Sequence, residues 1–116
     1  MKFKPPEIWT TSHSVTDKER NLLRAFLREG FKVELIEPVI ASLMGYEFKV
    51  KGCIDYKRRD GTGFEILFFV WIPRGSPYDY DFDFDALGNT YEEEGGTVIG
   101  FMREKINKAL RRAYSP

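Results

Sequence analysis

Tyr46-Glu47-Phe48-Lys49-Val50-Lys51-Gly52-Cys53-Ile54-Asp55-Tyr56 is the stretch that decides the fold of this chain. Tyr46, Phe48, Val50, Ile54 and Tyr56 alternate with Glu47, Lys49, Lys51, Cys53 and Asp55. Successive side chains of an extended strand point to opposite faces, so this period of two predicts a long strand with one apolar and one polar side. Asp60-Gly61 follows, a dipeptide suited to the positive φ angles of tight hairpin turns. Beyond it, Phe64 to Ile72 is apolar on both faces and rich in aromatic and β-branched residues, which predicts the most buried strand of the sheet.

The length of that turn sets which side chains meet. A two-residue loop places Asp55 opposite Ile66 and Glu65 opposite Tyr56, sending the two carboxylates to opposite sides. A loop of odd length places Asp55 directly opposite Glu65. The Asp-Gly chemistry favours the two-residue loop.

Working outward toward the start, Phe31, Val33 and Leu35 alternate with Lys32 and Glu34 and predict a strand that Pro38 ends. Before it, Thr16-Asp17-Lys18-Glu19 has the form of a capping box, in which the Thr16 hydroxyl accepts from the Glu19 amide while Glu19 reaches back. Leu22, Leu23, Phe26 and Leu27 then recur at helical spacing and Gly30 stands where a C-terminal cap belongs, so a helix is expected from about Asp17 to Glu29. Residues 1–13 hold two prolines and no period, and read as an irregular arm. Toward the other end, Gly95-Gly96 is expected to break the chain before a last helix capped by Thr97. Ile99, Met102, Ile106, Ala109, Leu110 and Ala113 would line its apolar face.

These elements predict one α+β domain over residues 14–116, with the order α-β-β-β, then a β-like or irregular acidic segment, then α. The sheet is expected to be mainly antiparallel, with the helices packed on one face. The 116 residues suit a single core, and 42% hydrophobic content is ample for folding. One cysteine, Cys53, excludes an intramolecular disulfide and favours a reducing compartment. The N-terminus lacks the apolar stretch of a signal peptide, and no run approaches the roughly 18 apolar residues of a membrane span, so a cytoplasmic protein without a membrane partner is expected.

The 18 basic and 18 acidic residues cancel, which removes any general electrostatic attraction to nucleic acid. Their distribution is uneven. Between Asp79 and Glu94 every charge is acidic: Asp79, Asp81, Asp83, Asp85, Glu92, Glu93 and Glu94. Arg103 to Arg112 holds five bases and one acid. In Tyr78-Asp79-Tyr80-Asp81-Phe82-Asp83-Phe84-Asp85, an extended backbone would put the aspartates on one face and the aromatics on the other. Such a row suits a basic protein surface; it equally suits an edge strand whose charges discourage aggregation. Asp81, Asp83, Asp85 and Glu92 also match acidic positions of a calcium-binding EF-hand loop, but Ala86 occupies the place that needs glycine.

A second constellation lies in the first half of the chain. Glu19-Arg20 opening the helix, Gly30-Phe31-Lys32-Val33 after it, then Ile54-Asp55 and Phe64-Glu65-Ile66, resemble archaeal Holliday-junction resolvases and the wider PD-(D/E)XK nucleases over residues 16–72. The resemblance implies that Glu19, Asp55 and Glu65 would bind Mg²⁺, which would polarise a phosphate and activate water. The family's lysine two places after the glutamate is Leu67 here. The α-β-β-β-α order is also similar to double-stranded RNA-binding domains, but Glu92-Glu93-Glu94 stand where those domains begin a basic helix. His13 has no evident acid-base partner, and Cys53 reads as a structural thiol.

The function expected from these features is a non-enzymatic interaction module, a small regulatory or inhibitory protein. Asp79, Asp81, Asp83, Asp85, Tyr80 and Phe82 would bind a basic protein partner, with no catalytic residues, metal or cofactor. The alternative is a metal-dependent PD-(D/E)XK-like nuclease, or a degenerate relative, built on Glu19, Asp55 and Glu65. Nucleic acid is a less favoured partner than protein. A homodimer is also open, because the buried strand offers many aromatics for a small core to cover.

Overall fold

A computed structural model of the chain describes residues 16–39, 45–85 and 91–114, with the backbone alone described over 91–96. The expected arm over residues 1–13, including His13, lies outside the described residues, as does Ala86. Helix α1 spans Asp17–Arg28, followed by strands β1 (Lys32–Pro38), β2 (Tyr46–Lys57) and β3 (Gly63–Pro73). A 3-10 turn (Pro77–Asp79), strand β4 (Asp81–Asp85) and helix α2 (Tyr91–Tyr114) complete the order. The strands form one antiparallel sheet, β1-β2-β3-β4, so the α+β class and the α-β-β-β-β-α order hold.

Helix α1 begins as its capping box requires: Thr16 accepts from the Glu19 amide while the Glu19 carboxylate accepts from both the Thr16 amide and its hydroxyl. It ends at Gly30, whose φ of 94° is a conformation that L side chains seldom adopt. Helix α2 departs from expectation. It starts at Tyr91 and runs through Gly95-Gly96, so Thr97 lies inside the helix and is not its cap. Val98 replaces Ile99 on the buried stripe, which continues through Met102, Ile106, Ala109 and Leu110.

Both helices pack on the same side of the sheet. Leu22, Leu23, Ala25 and Phe26 of α1 join the α2 stripe in one core with Val33 and Ile36 of β1, Phe48, Val50 and Ile54 of β2, and Ile66, Phe68, Val70 and Ile72 of β3. Phe26, Phe31 and Phe68 meet at its centre, with Phe31 and Phe68 rings 4.8 Å apart. Tyr56 is partly buried on this side and packs edge-on to Phe101 at 5.1 Å. From Phe48 to Tyr56 the apolar side predicted for β2 is therefore the covered one; a bulge between Tyr46 and Phe48 reverses the two residues before it, so that Tyr46 reaches Asp81 on the other face and Glu47 pairs with Lys18 of α1 at 3.0 Å.

Two further strand readings change. A bulge between Val33 and Leu35 breaks the alternation of β1, so Ile36 is buried where Leu35 was expected. The bulge brings β1 close to Gly52, where an added Cβ would overlap the Lys32 carbonyl oxygen. The other change is in β3, which is covered on one face only. Ile66, Phe68, Val70 and Ile72 are buried, while Leu67 is 40% exposed and Phe69 and Trp71 are half-buried. Two helices on one side leave nothing among the described elements to cover the other.

Candidate functional site

Because alternate residues of each strand face the helices, the rest assemble an open sheet face. From β2 come Lys49, Lys51, Cys53 and Asp55; from β3 Glu65, Leu67, Phe69 and Trp71; from β4 Asp81, Asp83 and Asp85. Phe69 and Trp71 stack with ring centres 5.8 Å apart. The ammonium groups of Lys49 and Lys51 lie 5.0 and 5.6 Å from the Phe69 ring centre, so their aliphatic stems shield part of the aromatic surface. Lys51 also pairs with Glu34 at 3.4 Å.

The acidic segment is a strand, and Asp81, Asp83 and Asp85 form an exposed row opposite Trp71, Phe69 and Leu67. Asp81 accepts a hydrogen bond from the Tyr46 hydroxyl, which raises the pKa of that phenol above its ordinary value. Asp83 accepts from the Phe84 amide at 2.9 Å. Asp79 is exposed but closes the 3-10 turn, outside the row. Tyr80 and Phe82 point to the helix side with Phe84 and pack against the core, and the Arg103 guanidinium lies 5.7 Å from the Phe82 ring. The structure thus separates the sequence-predicted aspartates from the sequence-predicted aromatics. The aromatic side chains that do share the aspartates' face are Phe69 and Trp71.

The turn reading is overturned. Asp60-Gly61 lies within a loop of odd length, residues 58–62, and Asp55 pairs directly with Glu65. Asp60 is used differently from a two-residue turn: its carboxylate accepts from the Thr62 amide at 2.9 Å and the Thr62 hydroxyl at 2.6 Å, which lowers its pKa. This local Asp-to-Thr hydrogen bonding stabilises the wider loop. Lys32 from β1 reaches both carboxylates, Glu65 at 3.3 Å and Asp55 at 3.5 Å, and its pKa is raised first by the hydrogen bond to Glu65 and then by the Asp55 charge.

Glu19 does not join them. It is 1% exposed, held in the capping box, on a helix that packs against the opposite face. Beside the carboxylate pair, burial pushes the Cys53 thiol up to about 11, and the neighbouring Glu65 carboxylate adds to the shift. A thiol so placed is protonated at neutral pH and is a poor nucleophile. Among the described residues no three His, Cys, Asp or Glu side chains come together in a way that could hold a metal ion.

On the far side of the molecule, Arg24 and Arg28 of α1 and Arg111 and Arg112 of α2 line a groove of about 550 Å³. Arg112 donates to Glu29 at 2.7 Å. Arginines in the last turns of helices sit where the dipole favours cations. Among the described residues, no helix is long and apolar enough to cross a membrane. Comparison with known protein families, curated proteins and solved structures finds no match for this chain.

Sequence reasoning located the acidic row and missed its apolar neighbours. The available signal was the two-sided apolar run from Phe64 to Ile72 in a chain with only two helical patterns, both amphipathic.

Proposed function

We propose that this chain is a non-catalytic interaction module that engages a basic protein surface through its open sheet face. Asp81, Asp83 and Asp85 supply the charged row, and Leu67, Phe69 and Trp71 supply the apolar centre. The observation that carries the reading is the adjacency of the two: each of these aspartates is the direct cross-strand neighbour of one of those apolar side chains. An apolar centre with a charged rim is the usual anatomy of a protein interface, whereas enzymes gather polar groups in a cleft.

The test compares the wild type with Asp81→Asn/Asp83→Asn/Asp85→Asn for binding to a lysine- and arginine-rich peptide. Wild-type binding should weaken as salt shortens the Debye length below its physiological value of about 8 Å, and the variant should associate more slowly. Equal binding by both proteins at all salt concentrations, together with greater aggregation of the variant, would leave the row only the role of guarding an edge strand.

The pairing of Asp55 with Glu65 favours the metal-dependent nuclease as the second reading. Against it, Lys32 already bridges the pair and offsets one of its two charges, and Glu19 is on the other side. Incubation with DNA or RNA and Mg²⁺ or Mn²⁺ should give no cleavage. Robust cleavage lost in Asp55→Ala would make the second reading the first.

A further inference from the structure

The open face carries its charges in columns. Read across β2, β3 and β4, successive rungs are Lys49, Trp71, Asp81; then Lys51, Phe69, Asp83; then Cys53, Leu67, Asp85. Over these three rungs bases lie along one flank, apolar groups along the centre and acids along the other flank; the following rung, Asp55 and Glu65, lies past the end of β4 and is held by Lys32. A surface with that pattern is complementary to itself.

We propose that the open face docks on the open face of a second copy of this chain, about a two-fold axis running along β3. The proposal rests on the open face being the binding surface and names the basic partner as the chain's own β2 flank. Most homo-oligomers close through such self-complementary two-fold contacts.

The charge columns select the axis. A two-fold axis lying across the strands would stack each strand on its own copy, so that the aspartates of β4 would face one another. An axis between β2 and β3 would bring β1 over β4, where Glu37, level with Lys49, would face Asp81, Leu35 would face Asp83, and the one favourable meeting, Lys32 with Asp85, would use a lysine that Asp55 and Glu65 already hold. An axis along β3 instead lays the partner copy's β2 over β4 and β3 over β3. Rotation about that axis leaves height along the strands unchanged, so Lys49 meets Asp81 and Lys51 meets Asp83, twice over. Leu67, Phe69 and Trp71 meet their own counterparts.

Face-to-face sheets lie about 10 Å apart with strands crossing at about 30°, a gap that lysine side chains span and a twist that displaces adjacent strands little. Docking would cover Leu67, which is 40% exposed, and the stacked pair Phe69 and Trp71. It would also turn Lys49 and Lys51, which now lie over the Phe69 ring, toward carboxylates of the other copy, Lys51 sharing its charge with Glu34 and Asp81 keeping its hydrogen bond from Tyr46.

Sedimentation velocity over a concentration series, at low and high salt, tests this on the full chain. The wild type should dimerise, less tightly at high salt. Lys49→Glu/Lys51→Glu and Asp81→Lys/Asp83→Lys should each raise the dimer dissociation constant by about a hundredfold or more, because each opposes like charges. An equimolar mixture of the two should form a heterodimer, and the variant carrying all four substitutions should dimerise again. Recovery of that kind requires folded chains and the stated register, so loss of folding cannot imitate it.

Three results would overturn the inference: a wild type that stays monomeric, charge-reversed variants that dimerise like the wild type, or a failure of both rescues. A monomeric wild type that still binds the basic peptide through its aspartates would remove the dimer and keep the interaction module. A monomer that ignores the peptide would remove both.

Discussion

The two faces of the sheet are built from neighbouring residues of the same strands and meet opposite fates. On the covered face Ile66, Phe68, Val70 and Ile72 are sealed under α1 and α2. On the open face Leu67, Phe69 and Trp71, which are as apolar, remain in contact with solvent between a basic and an acidic flank. Apolar character in a strand therefore shows that a residue can be buried; the number and placement of covering elements decide whether it is. The surplus aromatic surface on β3 is what supports the open face as the proposed binding surface.

The widest gap between the faces should be in stability. Phe68→Ala removes a ring packed against Phe26 and Phe31 and should cost about 3–5 kcal/mol in urea unfolding. Phe69→Ala, one residue away, should cost below about 1 kcal/mol at concentrations where the chain is monomeric, since the ring keeps most of its contact with lysine stems and water. Similar costs for the two would erase the distinction between the faces. A Phe69→Ala cost that grows with protein concentration would sharpen it, because the open face would then be adding stability through self-association.

A smaller effect lies in the thiol on the open face. Burial and the Glu65 carboxylate hold the Cys53 thiol neutral up to about 11, so alkylation by iodoacetamide should be slow at neutral pH and rise steeply only as the pH approaches that value. The sign for stability follows: the folded state favours the protonated thiol, so its contribution is intact at neutral pH and is lost as pH climbs through the folded pKa. Glu65→Gln should move the onset of alkylation to lower pH. An unchanged profile would assign the whole shift to burial.

Much of the fold was legible in the sequence because local chemistry and long-range packing agree there. The capping box of Thr16 and Glu19, the cap at Gly30 and the alternation of β2 from Phe48 to Tyr56 are complete within a few residues, and each forms as read; Tyr46 and Glu47, ahead of a bulge, exchange faces. The misreadings fall where a distant or competing interaction prevails. Asp60 hydrogen-bonds Thr62 and opens the turn by an odd number of residues, which brings Asp55 and Glu65 together. The bulge in β1 moves burial from Leu35 to Ile36. Helix α2 continues through two glycines that would stop a shorter helix. In the candidate site the aspartates of β4 stood out by their charge. Phe69 and Trp71 did not, because exposure depends on which faces the two helices cover, and no residue pattern within β3 records that.

The strand order β1-β2-β3-β4 has a consequence in time as well as in space. Each strand lies beside its neighbour in the chain, so each pairing closes only the connection between them, and short closures lose little chain entropy. Packing α2 against α1 is the exception, because it joins the first described element to the last. We expect the β2 and β3 hairpin to form early and α2 to dock late on the assembled sheet. Stopped-flow refolding of Ile54→Val should show slower folding, while Met102→Ala should act mainly by faster unfolding; the reverse would mean that the helices pair first and template the sheet. Until α2 arrives, only α1 would shield the inner face, and the full asymmetry on which the proposed binding depends would be the last property the chain acquires.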